Sequence, residues 1–303
     1  VSATWRLKKQ EDNRRMKQPA ECSLKHSPQH SAAADQRWKS SSDDGLWASP
    51  YTLKSGETQH HSLGHSQIWV TLLDMEWQIR SQQEEQQQVP KDWKLVTGHS
   101  LPSSDIPVQR FIRNGDAEMV TYVPAMADRP TVIRPYQPLT IAAEGQCIIY
   151  VGTALWMNVC IGPKQLLVAS IPLSEPSLTW VGSNTMEGEL CYSAQSYARL
   201  ALEAVPKRPW RAVTPVNIHN RRPQPLLVER FNLPTQLLSI HRNHLGQLWT
   251  PGVNVEVDTD VNAASMRVDP SPPPAAGPCE PLGPAREQVS RGRFVRTLDR
   301  IFG

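Results

Sequence analysis

Residues 146–173 read QCIIYVGTALWMNVCIGPKQLLVASIPL. Three short apolar runs stand here, CIIYVG, ALWMNVCIG and QLLVASIPL, divided by glycine and proline. Short runs of this kind, rich in β-branched residues and bounded by turn formers, read as strands. The same text fills residues 106–268, in EMVTYV, TVIRP, PLTIA, SLTWVG, GELCYSA, RAVTPVNIHN, PLLVERFNLP, VNVEVD, ASMRVD and others, about fifteen segments in all. That spacing predicts an all-β chain, an antiparallel β-sandwich or barrel-like domain. Within RAVTPVNIHN, Ala212, Thr214, Val216 and Ile218 recur with the two-residue period of a strand. HRNHLGQLWT at 241–250 reads as a hairpin around His244–Gly246. Pro215 and Pro234 move their runs toward sheet edges or bulges, because proline has no N–H to give a ladder.

Working outward, GHSQIWVTLLDMEWQIRSQQ at 64–83 puts Trp69, Leu73, Met75, Trp77 and Ile79 on one parity, which favours a strand or bent strand pair. Leu72, Met75 and Ile79 also recur at helical spacing, so a helix stays open there. Gln82–Gln88 looks like an exposed tip, followed by a polar linker to about Asp105. The all-β domain is therefore placed at 46–268. Residues 1–45 carry nine Lys/Arg against six Asp/Glu and few apolar side chains, a disordered basic tail. Residues 269–284 hold the run PSPPPAAGPCEPLGP and read as a stiff Pro-rich connector. Beyond it, 285–303 places Val295, Leu298 and Phe302 on one helical stripe, with Arg293 and Arg296 elsewhere, an amphipathic C-terminal helix. Such a helix could dock on the chain's own sheet, enter a partner's groove or lie on an acidic membrane.

Composition narrows the function classes. The chain has 303 residues, 39% of them hydrophobic, and a formal charge of only +3, so no nucleic-acid partner is expected. No apolar run reaches the roughly 20 residues of a transmembrane helix, and the first residues lack the apolar core of a signal peptide. The chain opens on Val1, which leaves a fragment, a valine start and a true start at Met16 all open. Its five cysteines, Cys22, Cys147, Cys160, Cys191 and Cys279, show no zinc-knuckle or C-x-x-C spacing. Cys147, Cys160 and Cys191 lie in apolar strand-like text and read as small buried hydrophobes, with a reducing, cytoplasmic setting as the default.

No phosphate loop, dinucleotide fingerprint, nucleophile elbow or H-E-x-x-H site occurs, and no cofactor is indicated. His60, His61 and His65 could share a metal only if folded onto one side, and their turn-like text lacks an acidic or thiol ligand, so no metal site is assigned. Arg199, Arg208, Arg211, Arg221, Arg222 and Arg230 could build an anion pocket but fit surface ion pairs better. The most distinctive stretch is SEPSLTWVGSNTMEGELCYSAQSYARL at 174–200. It gathers Trp180, Asn184, Glu187, Glu189 and Tyr192 in a polar loop entering a strand. Two carboxylates across a pocket can hydrolyse a glycoside, whereas the plainer reading is a structured turn with Trp180 packed beneath it.

WVGSNTMEGELCY at 180–192, ARL at 198–200, RPWRAVTPVNIHN at 208–220, LLVERFNLP at 226–234 and GQLWT at 246–250 together resemble a prokaryotic family catalogued only as a domain of unknown function. WASPYTL at 47–53 and IWVTLLDMEW at 68–77 extend the resemblance over about 46–302. It implies no activity that can be carried to particular residues. It does imply a membrane-associated partner, through a gene neighbourhood shared with small-conductance mechanosensitive channels. Where the family pattern reads Ser-Asp-Thr-Trp-Phe-Gly-Pro-Ser-Thr, this chain has Ser177 to Thr185 with Leu178 in place of the acid. If that acid were catalytic in relatives, this chain would lack it. The expectation is a cytoplasmic binding or accessory module that works through a protein partner, rather than an enzyme. The candidate partner surfaces are the C-terminal helix and the Trp180–Tyr192 loop; a small-ligand or carbohydrate-active enzyme using that loop is the alternative.

Overall fold

The computed structural model describes residues 46–85, 89–113, 118–182, 186–194, 196–258, 263–288, 294–297 and 302, all within one compact unit of the chain. The predicted basic tail, 1–45, lies outside them. The described chain is all-β. Its only other regular elements are three single-turn 3-10 segments at Leu202–Ala204, Thr235–Leu237 and Pro274–Ala276.

One sheet of five antiparallel strands runs in the order Lys91–Gly98, Thr58–Gly64, Ser66–Leu72, Glu76–Gln83, Val108–Ile112. The stretch at 64–83 is a strand pair, and the parity of its buried face switches at the turn. Ile68, Val70 and Leu72 face the core in the first strand, and Trp77 and Ile79 in the second. Trp69 therefore lies on the other face, stacked on His60 with ring centres 4.6 Å apart. The expected polar linker holds the strand Lys91–Gly98, whose alternation is hard to read because Trp93 is its one fully committed core residue.

A four-stranded sheet, Pro50–Thr52, Met119–Ala125, Trp156–Ile161 and Leu166–Pro172, is antiparallel throughout. The largest sheet is built on Arg211–Asn220. Gln146–Ala154 pairs along one edge of that strand, and Leu248–Trp249 and then Val253–Val257 lie parallel along the other. Pro215 is thus central, not at an edge. Its carbonyl faces Gly252, in the gap between the two short parallel strands, so its missing N–H falls where no ladder bond is due. The hairpin at 241–250 forms as Ile240–Asn243 against Leu248–Trp249.

The C-terminal region departs from expectation. The Pro-rich segment contributes the strand Cys279–Gly283, paired with Ile240–Asn243. In place of an amphipathic helix, the backbone at Phe294–Thr297 extends the largest sheet, with Val295 opposite Ser265 and Arg296 opposite Ala264. A sheet edge offers each N–H and C=O a ready partner, whereas a short helix with Gly292 in its first turn would have to nucleate alone. Phe302 packs against the main core, and Arg293 and Leu298 lie outside the described residues.

That core is continuous across the sheets. Its largest fully buried members include Trp77, Trp210, Tyr122 and Phe231. Among the described residues no helix is long and apolar enough to cross a membrane.

Candidate functional site

Ser177–Gly182 and Gly188–Ser193 form an antiparallel hairpin in a four-stranded sheet completed by Thr131–Ile133 and Phe231–Leu233. The register sets Leu178 opposite Tyr192 and Trp180 opposite Leu190, all on one face. The other face carries Val181 and Cys191, which pack with Val132 in a small buried cluster. The outward face is unusually apolar. Leu178 is 60% exposed, Trp180 48%, and Met186 in the connecting turn 88%. The indole of Trp180 lies flat across Gly188, where a Cβ would sit 2.5 Å from Cε2 and Nε1. Glycine is required at 188 because any side chain would evict that ring.

The predicted site residues separate in this geometry. Trp180 and Tyr192 share a face, Glu189 sits on the opposite one, and Glu187 stands in the exposed turn before the strand begins. Asn184 lies outside the described residues. The two glutamates therefore do not face each other across a cleft.

Tyr192, on the same face as Trp180, is held by neighbouring side chains. Its hydroxyl donates to Asp128 Oδ1 at 3.0 Å, and its ring lies 5.9 Å from that of Trp156. Burial pushes the phenol above its ordinary range, and the bond to the Asp128 carboxylate adds to this. Arg286 closes the group from the C-terminal side. Its guanidinium sits over Trp156, Nε donates to the Met126 carbonyl at 2.6 Å, and Nη2 donates to Ser170 Oγ at 2.7 Å. Burial lowers the Arg286 pKa, opposed by the charges of Asp128 and Tyr192. The cavity beside Tyr192, lined also by Thr131, Thr153, Trp156 and Ser174, measures about 20 Å³. That is room for about one water molecule and for no substrate.

The histidines of 60–65 do not converge. His60 and His61 point to opposite faces of one strand, and His60 Nε2 is hydrogen-bonded with Gln67 Oε1 at 2.7 Å. His65, in the following turn, packs edge-on against Trp210. Among the described residues no three His, Cys, Asp or Glu side chains gather as a metal centre would need. The arginines divide as well. Arg208 pairs with Asp92 at 3.1 Å and Arg221 with Glu256 at 3.0 Å on the surface. Arg211 is buried, donates to the Gly152 carbonyl at 3.0 Å and lies over the rings of Trp210 and Tyr197. Burial brings its pKa down to about 10, so it is a charged core brace rather than an anion site.

A second concavity carries no sequence signal. It measures about 310 Å³ and is lined by Leu46, Trp47, Trp93, Pro209, Arg242, Asn243, His244, Gly246, Leu248 and Glu280. Trp47 and Trp93 meet edge to face at 4.4 Å. Trp47 Nε1 donates to the Pro209 carbonyl at 2.8 Å, and Trp93 Nε1 to the buried His61 Nδ1 at 3.1 Å. Arg242 and Glu280 bridge neighbouring strands at the rim, 2.6 Å apart. These residues come from five separate parts of the chain, so no motif could have announced them.

No curated protein and no solved structure shows significant similarity to the chain. Residues 47–302, which span nearly all of the described residues, match the family described as protein of unknown function (DUF432), and the chain belongs to that family.

Proposed function

We propose that this protein is a binding module of the prokaryotic cytoplasm that takes up an extended segment of a partner protein along the strand Ser177–Gly182. One observation carries this reading: the strand ends its sheet, and its outward side chains, Leu178 and Trp180, are apolar and exposed. A sheet edge offers main-chain hydrogen bonds to an added strand, and alternating apolar side chains supply the specificity. Edge strands that must stay unpaired are guarded by charge. Lys91–Gly98, at the edge of the five-stranded sheet, is guarded in this way by Lys91, Asp92 and Lys94. Ser177–Gly182 carries no charged residue at all. The four described cysteines are free thiols, which fits a reducing compartment.

The C-terminal segment has no part in this reading, since Phe294–Thr297 is paired within the chain's own sheet. The test is affinity purification of the tagged chain from both the soluble and the gently solubilised membrane fractions, with quantitative mass spectrometry. Leu178→Lys should abolish recovery of a near-stoichiometric partner while leaving the melting temperature in place. Equal recovery with both proteins would refute the edge-strand reading, and the fraction that yields the partner decides whether it is membrane-associated.

A further inference from the structure

The edge at Ser177–Gly182 also fits a second copy of this chain. We propose that, when no partner segment is bound, two copies pair these strands with each other, antiparallel about a two-fold axis through Thr179. This rests on the edge-strand reading and adds a regulation to it, because one edge cannot hold both occupants.

The main chain sets the register. The Tyr192 N–H donates to the Pro130 carbonyl, on the side away from its hairpin partner. Main-chain groups alternate sides along a strand, so Cys191 and the Thr179 opposite it turn theirs toward each other. Leu178 and Trp180 therefore turn N–H and C=O toward the open edge, where no strand lies among the described residues. With the axis at Thr179, Leu178 of one copy stands opposite Trp180 of the other, and each such pair exchanges both main-chain bonds. An axis at Leu178 would set Trp180 opposite Pro176, and one at Trp180 would set Leu178 opposite Gly182. Thr179 is the axis that gives both exposed side chains an apolar partner.

The side chains agree with that register. In the joined sheet one outward row runs from Leu190 through Trp180 to Leu178 and Tyr192 of the second copy, and the axis repeats it. Apolar side chains set opposite one another in this way stabilise a sheet. Leu178 and Trp180, 60% and 48% exposed in the single chain, gain these neighbours.

Charge sets this edge apart, because a two-fold axis brings like beside like. Ser177–Gly182 has no ionisable side chain. Lys91–Gly98, Val108–Ile112 and Cys279–Gly283, at other sheet edges, carry lysines and an aspartate, Arg110 and Glu280 respectively. Leu166–Pro172 is uncharged too, but its Pro172 carbonyl already accepts from Ser66 Oγ and Gln83 Nε2. A six-residue strand spans about 20 Å, too little to bury the roughly 1,600 Å² of a standard interface. The pairing is therefore weak, and a better-fitting partner segment displaces it.

The test is sedimentation equilibrium of the purified full chain from about 1 to about 500 µM, the range of weak association. A reversible monomer–dimer equilibrium is expected, and Leu178→Lys should sediment as a monomer at an unchanged melting temperature. The register is read by Thr179→Cys in a Cys22→Ser, Cys191→Ala background, oxidised with copper–phenanthroline. Opposed residues of a non-hydrogen-bonded pair have Cα atoms about 4.5 Å apart, within reach of a disulfide. Thr179→Cys should cross-link two copies, and Ser177→Cys, which faces Val181 of the second copy, should not. A monomer at every concentration would overturn the proposal, as would a dimer indifferent to Leu178→Lys or equal cross-linking at 177 and 179. Recovery of a partner by a chain that stays monomeric would refute this pairing and leave the binding reading standing. A dimer with the expected cross-link but no recovered partner would do the reverse.

Discussion

Mild acid should destabilise this protein through His61. The side chain has no accessible surface, and its Nδ1 accepts from Trp93, which leaves the ring proton on Nε2, a nitrogen without a hydrogen-bond partner. Burial, reinforced by the neighbouring His60, lowers its pKa from 6.5 to about 3. Above pH 6.5 the imidazole is neutral in both folded and unfolded chains and stability is indifferent to it. Below that value the unfolded chain takes up a proton that the folded chain refuses, so stability falls by about 1.4 kcal/mol per pH unit until the folded pKa is reached. Between about pH 7.5 and about pH 5 the loss from His61 alone is roughly 2 kcal/mol. His65 and His241, also held low by burial, act in the same direction. Glu76 and Glu84, held low first by hydrogen bonds from Gln78 and Lys91, lose their contribution only at more acid pH, below the ordinary carboxylate range. His61→Gln keeps an acceptor for Trp93 and removes the titration. Urea denaturation of both proteins at the two pH values isolates the effect, and the wild type should lose about 2 kcal/mol more than the variant. Equal losses would refute the buried, neutral His61.

Gly188→Ala should displace the Trp180 indole, seen as a red shift and stronger quenching of its fluorescence, because the new Cβ would sit 2.5 Å from the ring. Gly283→Ala places a Cβ 2.0 Å from the Pro124 carbonyl, and the strand must shift to relieve it. A cost of about 3 kcal/mol, at the upper end for overpacking, is expected by denaturation. Arg286→Ala removes two charge-assisted hydrogen bonds, to Met126 and Ser170, and should lower stability by about 2 kcal/mol. Faster amide exchange around Glu287, whose N–H donates to the Gln236 carbonyl, should accompany it. Ellman's reagent should react slowly with Cys147, Cys160, Cys191 and Cys279 of the native protein, read on a Cys22→Ser background, since burial raises the thiols of Cys147, Cys160 and Cys279 and Cys191 has no exposed surface.

Local alternation was enough to assign the all-β class and most strands, because a pleated strand with one buried face writes its period directly into the text. Gln146–Ala154, Trp156–Ile161 and Leu166–Pro172 were legible for that reason. The apolar character of Leu178 and Trp180 was equally plain, but not their exposure. That depends on Val181 and Cys191 claiming the inner face of the same hairpin. At Phe294–Thr297 the residue spacing suits a helix, and the open edge at Ala263–Val268 decides for a strand. Pro215 could be central only because two short strands leave a gap opposite it. The cleft was out of reach in principle. Trp47, Trp93, Arg242 and Glu280 become neighbours when separate sheets pack on one core, and side-chain chemistry that arises across such distances leaves no trace in local sequence.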